Sequence, residues 1–155
     1  MSEYDRRLLE YVRQLDRLGL QHNFAVSAET VYDLECNNAT RFNFFIAGRS
    51  TGHAIISTDH NAKYATWVHF YPLLKKTGLE RRGVGTLAHV TALKTLVEQE
   101  QLGPGYTVIH TSPTKIRLAQ MAEMGLQRSE PLRDYMKKSV DYANRKGFDF
   151  RNPFQ

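Results

Sequence analysis

Cysteine is almost missing from this chain: Cys36 stands alone among 155 residues. No internal disulfide can form, which fits a reducing compartment. A single Cys beside Leu34 and Glu35 reads as a packed residue rather than a nucleophile. Long apolar runs are missing too, and nothing approaches the roughly 20 residues that span a bilayer. The opening Met1-Ser2-Glu3-Tyr4-Asp5 is polar and acidic, unlike a signal peptide. These features predict a cytoplasmic protein with no membrane span. The histidines, at 22, 53, 60, 69, 89 and 110, never recur at the short spacing of metal ligands, so no metal site is expected. No Gly-x-Ser-x-Gly elbow and no Gly-Lys-Ser/Thr signature occurs, which excludes the common hydrolase elbow and the Walker nucleotide loop. Repeats, linkers and low-complexity stretches are absent, and residues 1–155 read as one domain.

What is present suits a globular fold. Hydrophobic residues make up 41% of the chain, enough for a real core. The net charge of +5 and a pI near 9.4 favour an anionic ligand or partner, mildly. Leu8, Tyr11, Val12, Leu15 and Leu18 recur at helical spacing, so residues 3–18 predict a helix that Ser2 caps and Gly19 stops. A short strand is expected over 22–26, then a helix over 28–35 capped by Ser27. Phe42, Phe44 and Ile46 alternate as a half-buried strand does. Gly48 to Gly52 reads as a turn, His53 to Thr58 as a returning strand, Asp59 to Ala62 as a second turn, and 64–71 as a further strand. Strands joined by tight turns make an antiparallel meander.

The second half has another grammar. An apolar-periodic helix is expected over about 84–100, a strand over 106–110 and a helix over about 113–124, opened by Ser112-Pro113 and closed by Gly125. Strand, helix, strand, helix in succession imply a crossover and a parallel pair. The fold class is therefore α/β with a mixed sheet, an antiparallel meander running into a parallel βαβα unit, with helices on the sheet faces. Residues 132–140 read as a helix or a late strand, and 141–146 favour a helix closed by Gly147. They carry the densest basic group: Arg133, Lys137, Lys138, Arg145 and Lys146, with Arg151 beyond.

The most telling stretch is Glu80-Arg81-Arg82-Gly83-Val84-Gly85-Thr86. It joins a β-rich run, Tyr64 to Tyr71, to a helix N-terminus. Glycine lets backbone approach a ligand, the first helical N–H groups have no internal partner, and the helix dipole favours an anion. Phosphate or pyrophosphate is the expected guest; a plain glycine turn into a core helix is the bland alternative.

These residues and this order of elements resemble the GCN5-related N-acetyltransferases. That family binds acetyl-CoA with a loop of the form (Gln/Arg)-x-x-Gly-x-(Gly/Ala) between its fourth strand and the next helix. Glu80-Arg81-Arg82-Gly83-Val84-Gly85 stands at that place, with both glycines of the pattern and with Glu80 replacing the usual Gln or Arg. After its fifth strand the family tends to show Asn-Pro-x-Ala, where Ser112-Pro113 stands here. Its fourth helix ends in Gly-Phe, where Gly125-Leu126 stands. The likeness covers roughly residues 22–127. It implies acetyl-CoA or another acyl-CoA as cofactor, contacted by Phe70, Tyr71, Arg81, Arg82, Gly83, Val84, Gly85, Thr86 and Ser112, and an amine-bearing acceptor. Lys75 and Lys76 read as solvated, with the 3′-phosphate of CoA as the alternative partner. The family often carries a Tyr four residues before the closing Gly, as the acid for the thiolate. Met121 stands at that place.

Acyl transfer from a thioester needs a neutral amine, and a lysine-type amine has a pKa of about 10.4. A base is therefore required near neutral pH. His69, near the end of the strand that approaches the cofactor, is the first candidate, and His110, at the end of the next strand, is the second. Each also reads as a packed histidine. Tyr71 and Tyr106 are candidate acids. The aromatic cluster Phe42, Phe44, Phe45, Trp67, Phe70 and Tyr71 reads as core, or as the lining of an acyl pocket. The sequence thus predicts an acyl-CoA-dependent N-acyltransferase. The competing reading is a non-catalytic module of the same fold whose basic C-terminal region grips nucleic acid, tRNA or an acidic protein. Nothing in the sequence excludes an oligomer.

Overall fold

The computed structural model describes residues 2–32, 38–72, 79 and 82–154, with the backbone alone for Tyr32, His69, Tyr71 and Pro72. Cys36, Lys75, Lys76, Glu80 and Arg81 lie outside the described residues. The protein is a mixed α/β structure. One sheet of six strands, in chain order, is accompanied by five helices among the described residues.

The N-terminal helix is two helices rather than one. Ser2 caps α1 (Glu3–Arg13) by accepting from the Asp5 N–H at 3.0 Å. Asp16 then caps α2 (Arg17–His22), accepting from the Gly19 N–H at 2.7 Å. A good N-cap side chain inside a helical pattern restarts the helix there, so Gly19 lies within α2 instead of ending α1. The helix expected over 28–35 does not form where the chain is described. Strand β1 (Phe24–Tyr32) runs through it. Thr30 and Val31 are β-branched and pair with Thr40 and Ala39 of β2 (Asn38–Ile46), a setting that suits them better than a helix.

The turn expected over 48–52 is tighter. Ala47 and Gly48 both have positive φ, 50° and 79°, and join β2 directly to β3 (Arg49–Asp59). Two residues of positive φ give the twist that a hairpin needs. Strand β4 (Tyr64–Pro72) completes the antiparallel meander. Helix α3 (Val84–Glu98) crosses to β5 (Thr107–His110), which lies parallel to β4. Helix α4 (Lys115–Met124) follows, capped by Thr114 rather than Ser112, and Gly125 ends it at φ 73°. The C-terminal region is both strand and helix: β6 (Ser129–Pro131) pairs antiparallel with β5, and α5 (Leu132–Arg145) packs on α3.

Alternation in the strands defines two faces. Phe42, Phe44, Ala54, Ile56, Ala65, Trp67 and Val108 form one core with Leu87, Val90 and Leu93 of α3 and Leu132, Tyr135 and Met136 of α5. Arg41, Asn43, Ser57 and Thr66 occupy the opposite register positions at intermediate exposure. A smaller cluster of Val12, Leu20, Ile46, Leu79 and Val84 holds the N-terminal helices to the start of α3.

Candidate active site at the β4–β5 fork

Two features of β4 open the sheet. Ile56 pairs with Trp67 and Ile55 with His69, so Val68 is an extra residue, a β-bulge. Bulges bend a strand and interrupt its ladder. The parallel ladder to β5 then ends at the pair Trp67–His110. From Val68 to Pro72, β4 has no strand partner on its β5 side among the described residues. The two strands part here and form a fork.

The glycine loop stands over this fork. Gly83 is the N-cap of α3 in the left-handed region, φ 86°, with no side chain capping the helix. A Cβ there would meet the Phe148 ring at 2.9 Å, so both backbone and packing demand glycine. Gly85 differs: a Cβ would meet nothing within 4 Å. The α3 N-terminus is thus bare at Gly85, while Val84 and Thr86 turn their side chains into the protein. The next turn fixes the helix to β4, because His89 stacks on Phe70 at 4.1 Å and packs on Trp67 at 4.6 Å between ring centroids. Arg17, which no sequence motif singles out, lies beside the loop. Its Nε is 3.3 Å from where a Gly83 Cβ would stand and is buried without a hydrogen-bond partner.

Beneath the fork lies a buried polar group from five elements: Trp67 of β4, His89 of α3, His110 of β5, Arg117 of α4 and Tyr135 of α5. Arg117 Nη2 donates to the Tyr135 hydroxyl at 2.8 Å. A guanidinium only donates, so the hydroxyl proton goes onward to His110 Nε2, at 2.7 Å. Burial first, and the Arg117 charge second, hold His110 down at a pKa of about 3. His89 is also pushed well below the ordinary imidazole value, by burial above all, then by Arg117 and, more weakly, His110, against a raising hydrogen bond to Gly85. Its Nδ1–H donates to the Gly85 carbonyl at 2.7 Å. Both imidazoles are therefore neutral at pH 7. Arg117 Nε and Trp67 Nε1 are buried with no partner.

The residues singled out in the sequence fare differently. Arg82 is turned away from a phosphate role: its guanidinium donates to the Arg13 carbonyl at 2.9 Å and to the Leu15 carbonyl, clasping the end of α1. His110 is a core hydrogen-bond acceptor. A group of pKa about 3 with its Nε2 engaged is poorly matched to general-base work at neutral pH. Phe70 is partly buried against the core. Ser112 is exposed in the bend after β5. His69 and Tyr71 are described by backbone only, and His69 follows the bulge opposite Ile55. Tyr106 holds the His60 ring at 2.6 Å, away from the fork. Met121 is fully buried on the face of α4 that carries Arg117.

Two members of the basic C-terminal group have partners within the fold, while Arg133, Arg145, Lys146 and Arg151 are exposed. Lys137 pairs with Asp141 at 2.7 Å, and Lys138 with Glu130 at 3.3 Å and with the Gly125 carbonyl. Among the described residues, no cluster of His, Cys, Asp and Glu is placed to hold a metal, and no helix is long and apolar enough to cross a membrane.

His89, Arg117 and Tyr135 escaped sequence reasoning. The one available signal was His89 itself, a polar residue inside the apolar run Leu87-Ala88-His89-Val90. No family model and no curated protein matches the sequence.

Proposed function

We propose that the chain is an acyl-CoA-dependent N-acyltransferase, of the kind its glycine loop and element order resemble. The observation that carries this reading is the fork. A bulged β4 leaves a four-residue parallel ladder just beneath the α3 N-terminus, and α3 is anchored there through His89. A strand edge that has no strand partner among the described residues suits an extended, amide-bearing chain such as pantetheine. A helix N-terminus whose second residue has an open Cβ direction suits a pyrophosphate.

In this reading Gly83, Val84, Gly85 and Thr86 hold the pyrophosphate through backbone N–H groups. The β4 edge from Val68 to Pro72 orients the thioester arm. When bound, the thioester supplies an acyl carbonyl open to attack by an amine. The chain's own tasks are to exclude water, to direct a backbone N–H at the developing oxyanion, and to take a proton from the amine. His69 is assigned that last task. The acid position is vacant, because Met121 cannot donate a proton.

The test is direct. Purified protein is titrated with acetyl-CoA by calorimetry and then incubated with acetyl-CoA and a panel of amines while free thiol is followed. Saturable binding with amine-dependent thiol release supports the proposal. Absence of binding at millimolar acetyl-CoA would overturn it.

A further inference from the structure

We propose that the buried Arg117–Tyr135–His110 group, with Trp67, is a carboxylate-binding site under the β4–β5 fork, so that one reactant of the transfer carries a carboxylate. Assigning the carboxylate to a reactant rests on the acyltransferase reading, whereas the anion site does not.

The case begins with charge. Arg117 is 7% exposed, Trp67 and His110 are each 5% exposed, and Tyr135 is fully enclosed. An ion taken out of water is costly to keep unless an opposite charge and a full set of hydrogen bonds accompany it. Arg117 has neither. Its partners are neutral, the Tyr135 hydroxyl at 2.8 Å and the Gln120 side-chain oxygen at 3.4 Å. Among the described residues no carboxylate pairs with it. The imidazoles of His89 and His110, which feel the Arg117 charge, offer no negative charge in either protonation state.

Hydrogen bonding points the same way. Arg117 Nε and Trp67 Nε1 are both buried donors without an acceptor, and Ser139, one turn after Tyr135 on α5, has a buried hydroxyl without a partner. Two unpaired buried donors in one side-chain group, one of them on a cation with no carboxylate partner among the described residues, suit an acceptor group bearing one negative charge. A carboxylate is flat, and its two oxygens match the edge of a guanidinium. The location gives the group a role. Trp67 and His110 are the last pair of the β4–β5 ladder, so the site lies where the strands part and where the reacting ends of donor and acceptor would meet.

The chain contains a single tryptophan, Trp67, so its emission reports on this site alone. The parent protein is titrated with acetate and succinate, and with neutral acetamide and succinamide, at fixed ionic strength. The expected result is a saturable change in Trp67 emission, with a rise in melting temperature, for the carboxylates only. Arg117→Met should weaken the apparent affinity by about tenfold or more. Without ligand it should melt no lower than the parent, since it removes an unbalanced buried charge. Equal responses to carboxylates and amides, or none to either, would overturn the site. If Arg117→Met does not fold, the parent's carboxylate-against-amide comparison decides.

A second pair of titrations finds the source. Succinyl-CoA is compared with acetyl-CoA, and an α-amino acid with the amine it gives on decarboxylation. A larger Trp67 response to succinyl-CoA assigns the carboxylate to the acyl group. A larger response to the amino acid assigns it to the acceptor. Equal responses in both pairs would overturn the link to a reactant. Response to free carboxylates with no binding of any acyl-CoA would keep the anion site and remove the acyltransferase reading.

Discussion

Trp67 and Phe70 stand three residues apart on β4, yet both pack on the ring of His89. An uninterrupted strand would send them to opposite faces. The bulge at Val68 changes the parity, so that Trp67 pairs with Ile56 and Phe70 with Ala54, two residues of the buried face. Deleting Val68 removes the extra residue and puts Phe70 two places after Trp67, so simple alternation keeps both rings on the buried face. The expected loss is well below the roughly 3 kcal/mol of removing a core phenylalanine, since Phe70 keeps its place opposite Ala54. Val68→Thr should stay within about 0.5 kcal/mol, because Val68 is 44% exposed. Urea unfolding of both variants checks the pair.

The two buried imidazoles make stability depend on pH. The folded pKa of His110 is lowered to about 3, and that of His89 is lowered as well, while an unfolded histidine titrates near 6.5. Below about pH 6.5 the unfolded chain binds protons that the folded one refuses, so stability is fully present above that pH and falls as pH drops toward 3. Each histidine contributes a slope of at most about 1.4 kcal/mol per pH unit. His110→Gln should flatten the loss between pH 6 and pH 4 relative to the parent, as measured by unfolding at a series of pH values. An unchanged slope would mean that His110 is not held neutral in the folded state.

These relationships show how far the sequence could be read. Local signals carried well: the alternation of Phe42, Phe44 and Ile46, the cap at Ser2, the left-handed Gly125 and the crossover from β4 to β5 were all legible from neighbours. Signals that compete locally did not. Asp16 restarts a helix that Leu15 and Leu18 seem to continue, and Ser27 looks like a cap although Thr30 and Val31 complete a strand ladder with β2. The buried polar group was beyond reach for a different reason. Arg117 and Tyr135 are 18 residues apart, and His110 and Tyr135 are 25 apart. Only the packing of α4 and α5 against the end of β5 brings them together. A charged residue one turn into a helix otherwise reads as solvated.

The two loop glycines should separate folding from binding. Gly83→Ala forces a side chain onto φ 86° and against Phe148. It should cost about 1–3 kcal/mol of stability. Gly85→Val meets open space, and within a helix Val is no worse than Gly, so thermal stability should hold. Its acetyl-CoA affinity should fall by about tenfold or more, since the new side chain stands where the pyrophosphate would approach the backbone. Melting curves and calorimetry on the same samples give both readings. A stable Gly85→Val variant that binds like the parent would move the cofactor site elsewhere.

Arg82 should behave as a clasp. Its charged hydrogen bonds to the Arg13 and Leu15 carbonyls tie α1 to the loop. Arg82→Met should lower stability by about 1.5–3 kcal/mol, the usual worth of hydrogen bonds from an ion. The salt dependence of acetyl-CoA binding should barely change. A flattened salt dependence with unaltered stability would instead return Arg82 to the phosphate.

The catalytic prediction concerns His69, which follows the bulge on β4 opposite Ile55. His110 is poorly matched to the task, being locked in the core by Tyr135, and Met121 offers no proton. A CoA thiolate leaves tolerably without an acid, so deprotonating the amine is the harder demand. His69→Gln keeps size and a hydrogen-bonding group but removes the base. Loss of a general base typically lowers rate by about 10²–10⁴-fold. The deficit should appear in turnover at saturating acetyl-CoA, leave cofactor affinity intact, and shrink as pH rises toward the pKa of the amine, where solvent alone supplies the neutral nucleophile. Turnover against pH for parent and variant is the measurement. Superimposable profiles would take His69 out of the mechanism and leave water, relayed along the open edge of β4, to remove the proton.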